Sequence, residues 1–242
     1  MEKGQGRMGS QASDLGRIRN LAVIPARGGS KGLKDKNIKL LNGKHLMGYS
    51  IDAALESEIF DCVHVSTDSE KYREIAKGYG ADVSFLRPDL LSSDSADTWD
   101  VVRYVVNAFQ EQGQVFDRIT VLQPTSPLRK ADDICGAYKL FEEKHAKSVV
   151  SVCEAEHSPR FMGTLDNGLS LEGFLDLNQG VRRQEQKAYY RLNGAIYLFH
   201  VSVLDNIQEL YGKDSYAFIM PKEKSVDIDT MQDFRYAEFL LS

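Results

Sequence analysis

The chain has 242 residues, enough for one large domain or for a domain with a sizeable subdomain, since domains average about 150 residues. With 42% hydrophobic and 27% charged residues, 6 Pro and 19 Gly, its composition excludes collagen-like and disordered proteins. The 30 basic and 35 acidic side chains leave a net charge of −5, so we expect no nucleic-acid partner; a polyanion would need a local basic cluster. No apolar stretch approaches the roughly 18 residues of a membrane-spanning helix, so we expect no membrane partner.

The first 20 residues are polar, of mixed charge, and lack the apolar stretch of a secretory signal. We predict that residues 1–20 form a disordered lead-in and that residues 21–242 form one domain. The three cysteines, Cys62, Cys135 and Cys153, are widely spaced without a CxxC pair, which excludes a disulfide framework and a Cys-rich zinc site. They are expected to be buried, reduced thiols of a cytoplasmic protein.

From Leu21 onward, short apolar runs alternate with amphipathic stretches. The apolar runs predict strands over 21–26, 62–66, 82–86, 118–122, 148–152, 194–199 and 217–220. The amphipathic stretches predict helices over 47–56, 69–77, 98–112, 131–143, 201–209 and 230–241. This alternation predicts an α/β fold, a three-layer α/β/α sandwich around a mostly parallel, Rossmann-like sheet.

Residues 156–193 interrupt this order, because short apolar pieces there mix with turn residues and arginines. We predict a protruding, β-rich dimerisation arm. An exposed arm would leave aromatic side chains such as Phe161 and Phe174 uncovered, so we expect it to pack on a second copy of the chain in a homodimer. A local excursion folded back on its own sheet is the alternative.

A glycine-rich basic loop follows the first predicted strand, in the sequence AVIPARGGSKGLKDKN. Four cations lie within ten residues there: Arg27, Lys31, Lys34 and Lys36. Ligands of open α/β sheets bind at the carboxyl ends of strands, which places the loop at a site mouth. Gly28 and the glycines near it let backbone N–H groups approach phosphate oxygens, while the cations neutralise phosphate charge. The loop matches neither GxxxxGK[ST] nor GxGxxG, so the sequence does not favour an ATPase or a dehydrogenase.

Two aspartates near the end of the sequence, Asp227 and Asp229 in SVDIDT, lie two positions apart. In an extended segment both carboxylates project from one face. Two carboxylates together with phosphate oxygens suit Mg²⁺, which retains several of its waters. We therefore predict that the pair holds Mg²⁺. Capping of the following helix by Asp229 and Thr230 is the alternative.

Five segments occur in order along residues 20–242: the basic loop, VSTDS, LRPDLLSSDSADT, LQPTSPLR, and NGAIY followed by SVDIDT. In wording and spacing they resemble the acylneuraminate (CMP-sialic acid) cytidylyltransferase family, a family of nucleotidyltransferases. The resemblance implies transfer of CMP from CTP to the anomeric hydroxyl of a nine-carbon sialic-type acid, with release of pyrophosphate. Positioning and charge neutralisation do most of the catalysis in such a displacement.

The resemblance also implies roles for individual residues. The predicted catalytic residues are Arg27, Lys36 and Asp227, and the predicted metal ligands are Asp227 and Asp229. The predicted nucleotide site comprises Ala26, Arg27, Gly28, Lys31, Lys36, Asn37, Arg87 and Thr98. The predicted acceptor site comprises Gln123, Ser126, Arg183 and Asn193. For the hydroxyls of 94–98, helix capping is the alternative, and for Arg183 a plain surface position.

The prolines of LQPTSPLR hold the chain extended, so that Gln123, Ser126 and Arg129 are expected to face the cleft. One departure concerns the acceptor: family members selective for N-acetylneuraminate often carry a lysine where this chain has Phe161. An apolar ring suits a less hydroxylated acid of the legionaminate kind, although Arg160 is a candidate replacement for the lysine.

Two other functions are alternatives: a cytidylyltransferase for the eight-carbon acid Kdo, and a noncatalytic nucleotide-binding module. The intact pair of Asp227 and Asp229 argues against the module. As general base, either a metal-bound water or Asp227 is compatible with the spacing.

Overall fold

A computed structural model describes residues 17–29, 32–93, 96–175 and 188–242. Its main sheet contains β1 (Asn20–Pro25), β4 (Cys62–Ser66), β5 (Arg118–Val121), β6 (Ser148–Glu154), β7 (Tyr190–His200) and β8 (Ser215–Ile219). A separate hairpin, which the sequence patterns missed, is formed by β2 (Leu40–Leu41) and β3 (Lys44–His45). The α-helices are α1 (Leu46–Glu56), α2 (Glu70–Gly78), α3 (Thr98–Glu111), α4 (Ala131–Glu143) and α5 (Met231–Leu240).

The main sheet is mostly parallel, as predicted, with the strand order β4-β1-β5-β7-β6-β8. Strand β1 pairs in parallel with β4 and β5, and β6 pairs in parallel with β8, whereas β7 runs antiparallel to both of its neighbours. Alternate residues of β1 face opposite sides: Ala22 and Ile24 pack with α1 and α4, and Leu21 and Val23 pack with α3. The fold is therefore the predicted three-layer α/β/α sandwich.

Residues 82–86 do not form the predicted strand. Asp82 makes one isolated parallel bridge to His64, and Phe85 then stacks on the His64 ring with centroids 4.6 Å apart. Aromatic packing against the edge strand buries this apolar run without extending the sheet. The apolar pattern correctly indicated burial but was wrong about the strand.

Residues 201–209, predicted as one α-helix, form two 3-10 helices instead, Val201–Asp205 and Ile207–Tyr211. Asn206 separates them, because its backbone is extended and its side chain caps the second helix. An asparagine that offers its own cap interrupts the α-helical hydrogen-bond ladder at this point.

The predicted arm over residues 156–193 is described as far as residue 175 and again from residue 188. Its first part contains the 3-10 helix Pro159–Phe161, and Tyr190 to Asn193 belong to β7. Phe161 is exposed, as the sequence led us to expect, whereas Phe174 is half-buried. Other large apolar side chains of the arm are also exposed: Met162, Leu165, Leu169 and Leu171. Pairing of the arm with a second copy stays a prediction.

Three smaller expectations concern the lead-in, the cysteines and membranes. Residues 1–16 of the lead-in lie outside the described residues, whereas the Arg19 amide donates to Asp117 at 2.7 Å and ties the chain to the sheet. Cys153 is buried as predicted, but Cys135 is exposed on α4. No helix in the described part of the chain is long and apolar enough to cross a membrane.

Asp82 ties the edge of the sheet together and provides a pH-dependent test of the fold. Its carboxylate accepts hydrogen bonds from His64 Nδ1 at 2.8 Å and from the Ser84 hydroxyl at 3.1 Å. Burial raises the pKa of Asp82, but these hydrogen bonds outweigh burial, so the pKa lies below its ordinary value. A carboxyl with a lowered pKa stabilises the fold above its unfolded pKa of about 4, and this stabilisation is lost as the pH falls through the folded value.

We predict that Asp82→Asn lowers the melting temperature at pH 7 and that the difference from the unsubstituted chain shrinks below about pH 4. Thermal unfolding followed by circular dichroism across this pH range checks the expectation. Asp205→Asn, at an exposed aspartate, is the control and should leave the melting temperature nearly unchanged. A difference for Asp82→Asn that is constant across the pH range would contradict the proposed carboxylate contribution.

Candidate active site

A pocket of about 740 Å³ opens at the carboxyl ends of β1 and β5. This is the edge of the sheet at which ligands bind in open α/β folds. Residues Pro25 and Arg27 approach it from β1, Thr98 begins α3 at its wall, and Gln123 follows β5. Eight of the predicted site residues line this one pocket: Arg27, Lys36, Asn37, Arg87, Thr98, Gln123, Asp227 and Asp229.

The basic loop forms one side of the pocket and is held by hydrogen bonds to its own backbone. Asn37, which is buried, donates from Nδ2 to the carbonyl of Arg27 at 3.1 Å and so fixes the entry and exit of the loop. The guanidinium of Arg27 donates to the carbonyl of Ser92 at 3.2 Å, across the mouth of the pocket. Lys31 lies outside the described residues. The loop therefore presents Arg27 and Lys36 to the pocket from a fixed base.

Gly28 and Ala26 do not line the pocket. Ala26 is buried, and its amide continues the pairing of β1 by donating to Ser66. The Gly28 amide donates to the carboxylate of Asp68 at 2.7 Å. Asp68, in VSTDS, thus anchors the basic loop to the end of β4, a role that the sequence patterns did not assign.

The carboxylates lie in the extended segment that precedes α5, as predicted. Val226 and Ile228 are buried in a core with α5, while Asp227 and Asp229 alternate with them and line the pocket. Lys36 reaches across from the basic loop, and its Nζ donates to the carbonyl of Ile228 at 2.6 Å and to Asp229 at 3.0 Å. One cation of the loop therefore already contacts the predicted metal pair.

Helix capping, the alternative role of this segment, falls to Thr230. Its hydroxyl accepts from the Asp233 amide at 3.3 Å, and the Asp233 carboxylate accepts from the Thr230 amide at 2.7 Å, which is a capping box. The carboxylates of Asp227 and Asp229 are therefore not needed as the N-cap of α5.

The Asp227 carboxyl has a raised pKa. Desolvation by the pocket walls raises its pKa, and the nearby charge of Asp229 raises it further. A hydrogen bond from Thr125 and the charges of Lys36 and Arg191 lower the pKa by less, so that it lies above its ordinary value. A divalent cation shared by the two carboxylates would offset their repulsion. Two hard oxygen donors facing one open pocket are a donor set that fits Mg²⁺.

Arg87 lines the pocket, but its guanidinium is committed to the protein. It donates from Nη2 to the carbonyl of Ser66 at 2.5 Å and from Nη1 to the carbonyl of Leu91 at 3.3 Å. Burial lowers the pKa of Arg87 to about 10, with a smaller lowering by Arg27 and an opposing effect of Asp68. Arg87 therefore fixes the loop that carries Leu91 and shapes the side of the pocket that the sequence predicts to bind the nucleotide.

Ser126, Asn193 and Arg129 lie beneath the pocket rather than in its wall, which corrects the expectation that Ser126 and Arg129 face the cleft. All three are buried, and the hydroxyl of Ser126 donates to the carbonyl of Asn193 at 3.2 Å. Arg129 donates to the carbonyl of Ala195 at 2.8 Å, and burial lowers its pKa to about 9. These polar groups support the part of the chain that carries Gln123. Arg183 lies outside the described residues.

Gly194 lets the side chain of Gln123 occupy the floor of the pocket. The backbone φ of Gly194 is +73°, and a Cβ built there would collide with Oε1 of Gln123. The positive φ makes a larger residue costly at this position, and a Cβ would also require the end of the Gln123 side chain to move. The glycine of NGAIY is thus explained by the contact with Gln123.

We predict that Gly194→Ala destabilises the fold more than Gly113→Ala does. Gly113 has a φ of +77°, but nothing lies within 4 Å of a Cβ built there, so it isolates the backbone cost of about 1–2 kcal/mol. Urea denaturation of both variants measures the difference. Equal losses would show that Gln123 moves away freely and does not depend on Gly194.

The chain belongs to the cytidylyltransferase family, because residues 21–203 match the family model described as Cytidylyltransferase. It is 38% identical over 223 residues to an N-acylneuraminate cytidylyltransferase from Escherichia coli O18:K1:H7, covering 91% of this chain and 52% of the relative. The chain thus spans about half the length of the first curated relatives it matches.

Relatives of similar length also match. A CMP-N,N'-diacetyllegionaminic acid synthase from Legionella pneumophila is 36% identical, with 93% of this chain and 97% of the relative covered. A pseudaminic acid cytidylyltransferase from Campylobacter jejuni is 34% identical, with 92% and 96% covered.

Among solved structures, a CMP:2-keto-3-deoxy-manno-octonic acid synthetase complexed with CTP is similar in fold, with a TM-score of 0.69 and 16% identity over 92% of this chain and 98% of that chain. A 4-diphosphocytidyl-2C-methyl-D-erythritol synthase from Anaerococcus prevotii has a TM-score of 0.60 at 12% identity, with 93% and 98% covered. At these identities the likeness concerns the fold, and it agrees with the predicted nucleotidyltransferase sandwich.

Proposed function

We propose that this protein is a CMP-nonulosonate synthetase, which transfers CMP from CTP to a nine-carbon sialic-type acid, N-acetylneuraminate or a legionaminate-like acid. The observation that carries the proposal is the meeting of two sets of charges in one pocket. Arg27 and Lys36 reach it from the loop after β1, and Asp227 and Asp229 reach it from the segment before α5. A triphosphate needs both sets: cations for its oxygens and hard carboxylate ligands for the ion that accompanies it.

In the proposed reaction, the anomeric oxygen of the acid bonds to the α-phosphorus of CTP, and the bond from that phosphorus to the bridging oxygen breaks. Pyrophosphate leaves with that oxygen, and the hydroxyl proton passes to solvent. Arg27 and Lys36 neutralise charge that grows on the leaving pyrophosphate, because both are held at the pocket wall before substrate arrives. Asn37 keeps the loop in place by its hydrogen bond to Arg27.

The carboxylate pair is the proposed Mg²⁺ site, with Asp227 and Asp229 as ligands. When bound, the ion would polarise the α-phosphate and neutralise its charge. Lys36, which contacts Asp229, and Thr125, which hydrogen-bonds Asp227, orient the two carboxylates. Within the described residues there is no larger cluster of acidic, histidine and cysteine side chains that could hold a metal ion.

The acceptor is proposed to lie over Gln123, on the side of the pocket away from Arg87 and Thr98, which border the nucleotide. We further propose that the protein acts as a cytoplasmic homodimer whose arm, including Arg183, completes the neighbouring acceptor pocket. The exposed apolar side chains of the arm, among them Leu169 and Leu171, support this part of the proposal, because such surfaces are typical of interfaces.

Pyrophosphate release from CTP and Mg²⁺ with a panel of acceptors tests the function. The panel is N-acetylneuraminate, diacetyllegionaminate, pseudaminate and Kdo, with EDTA as the control. We predict release with a nine-carbon acid and its abolition by EDTA. Pyrophosphate release with Kdo alone would show that the acceptor is not a nine-carbon acid. No release with any acceptor, in a folded protein that binds CTP, would favour a noncatalytic binding module.

Replacement of Asp229 tests the metal pair. We predict that Asp229→Ala lowers turnover by at least about a hundredfold, the scale expected when a principal electrostatic stabiliser is removed. Steady-state pyrophosphate release measures the effect, with Asp205→Ala, at an exposed aspartate outside the pocket, as the control. Unchanged turnover in Asp229→Ala would contradict the metal assignment.

A further inference from the structure

Ser225 is held from strand β7 by two residues, Arg191 and Asn193. Because these residues are two positions apart on a strand, they share one face of it. Nη2 of Arg191 donates to the carbonyl of Ser225 at 3.2 Å, and Nδ2 of Asn193 donates to the Ser225 hydroxyl at 2.9 Å. Ser225 is fully buried, and it begins the SVDIDT segment, two and four positions before the carboxylates of the proposed metal site.

The orientation of the Asn193 amide is fixed by its other contacts. Its Oδ1 accepts from the Ala195 amide at 3.2 Å and from the Ser151 hydroxyl at 2.6 Å. A backbone amide can only donate, so Oδ1 must face Ala195, and Nδ2 must then face Ser225. The Ser225 hydroxyl in turn donates to the carbonyl of Pro221 at 2.7 Å. The Ser225 hydroxyl therefore accepts from Asn193 and donates to Pro221, so that both of its hydrogen-bonding roles are occupied.

The rest of the SVDIDT segment is held by other parts of the fold. The Ile228 amide donates to the carbonyl of Thr125 at 2.9 Å, and Lys36 donates to the carbonyl of Ile228. The first anchor belongs to the loop after β5 and the second to the basic loop. Asp227 lies between these anchors and Ser225 in the sequence, so the contacts of Ser225 with β7 fix the segment on the side that precedes Asp227.

We infer that Arg191, Asn193 and Ser225 form a positioning clamp for the proposed metal site. The clamp fixes the backbone before Asp227 and therefore determines the positions of the Asp227 and Asp229 carboxylates. The inference rests on the proposed function, and it assigns Asn193 a role beneath the site in place of the predicted contact with the acceptor.

The test is a titration with Mn²⁺ as a reporter for Mg²⁺, in the absence of nucleotide and acceptor, followed by the electron paramagnetic resonance signal of the free ion. We expect Ser225→Ala to weaken Mn²⁺ binding about tenfold, the lower end of the effects seen when groups that support metal ligands are removed. Ser148→Ala is the matched control, because Ser148 is also fully buried and its hydroxyl donates to a backbone carbonyl at 2.7 Å, but it lies on β6 near Leu210. The Ser148→Ala variant should lose as much folding stability as Ser225→Ala does, but it should keep the Mn²⁺ affinity of the unsubstituted chain.

Arg191→Lys keeps the positive charge at an exposed position but gives up the guanidinium that reaches Ser225, so it tests the clamp even if Ser225→Ala does not fold. It should also weaken Mn²⁺ binding, whereas CTP binding in EDTA should be unchanged in both variants. Unchanged Mn²⁺ affinity in Arg191→Lys and in folded Ser225→Ala, or equal weakening in Ser148→Ala, would overturn the clamp alone. Unchanged affinity in Asp229→Ala would overturn the metal site of the proposed function, and the clamp with it.

Discussion

The contact between Lys36 and Asp229 joins two parts of the chain that lie 193 positions apart, and the site depends on their meeting. Asp229 is 76% exposed, so the ion pair by itself contributes little free energy, on the order of 0–1 kcal/mol. Its importance is geometric, because Nζ of Lys36 also holds the carbonyl of Ile228. The basic loop and the acidic segment are thereby fixed to each other before a ligand enters. In a chain of net charge −5, this arrangement brings Arg27 and Lys36 of the basic loop together with the two carboxylates, in the pocket proposed to bind a triphosphate and its metal ion.

Strand β7 supplies the second constraint, because it enters an otherwise parallel sheet in the antiparallel direction. Its register with β6 shifts between Val150 and Val152, and Gly194 lies opposite this irregularity with a positive φ. The irregularity lets β7 support two parts of the pocket at once. Gly194 makes room for Gln123 on the proposed acceptor side, while Asn193 holds Ser225 on the side of the proposed metal site. The direction of β7, its local backbone conformation and its polar contacts thus all position groups on one side of the sheet.

Much of the fold could be predicted because its signals are local. The apolar runs of β1, β4, β5 and β6 and the amphipathic pattern of α3 each predicted their element, and the alternation in SVDIDT predicted that Asp227 and Asp229 share a face. Some predictions were wrong because a tertiary contact decided the outcome, as at Phe85, which stacks on His64 instead of joining a strand. The directions of side chains in the site could not be predicted from the local sequence either. Arg129 and Ser126 belong to LQPTSPLR, part of which lines the pocket. Whether a polar side chain there faces a ligand or a buried carbonyl depends on the neighbouring strand. Thr125, Asp68 and Arg191 were missed because their partners are distant in sequence.

The central claim is that this pocket directs an acceptor hydroxyl to the α-phosphorus of CTP. Phosphorus-31 nuclear magnetic resonance of the complete reaction, with CTP, Mg²⁺ and the preferred nine-carbon acid, tests this most directly, because it shows which phosphorus atom is attacked. We predict that a phosphodiester resonance of the CMP-linked acid and the resonance of pyrophosphate appear together in equal molar amounts. Orthophosphate with CDP, or a phosphorylated acid without pyrophosphate, would show attack at another phosphorus and would contradict the proposed reaction.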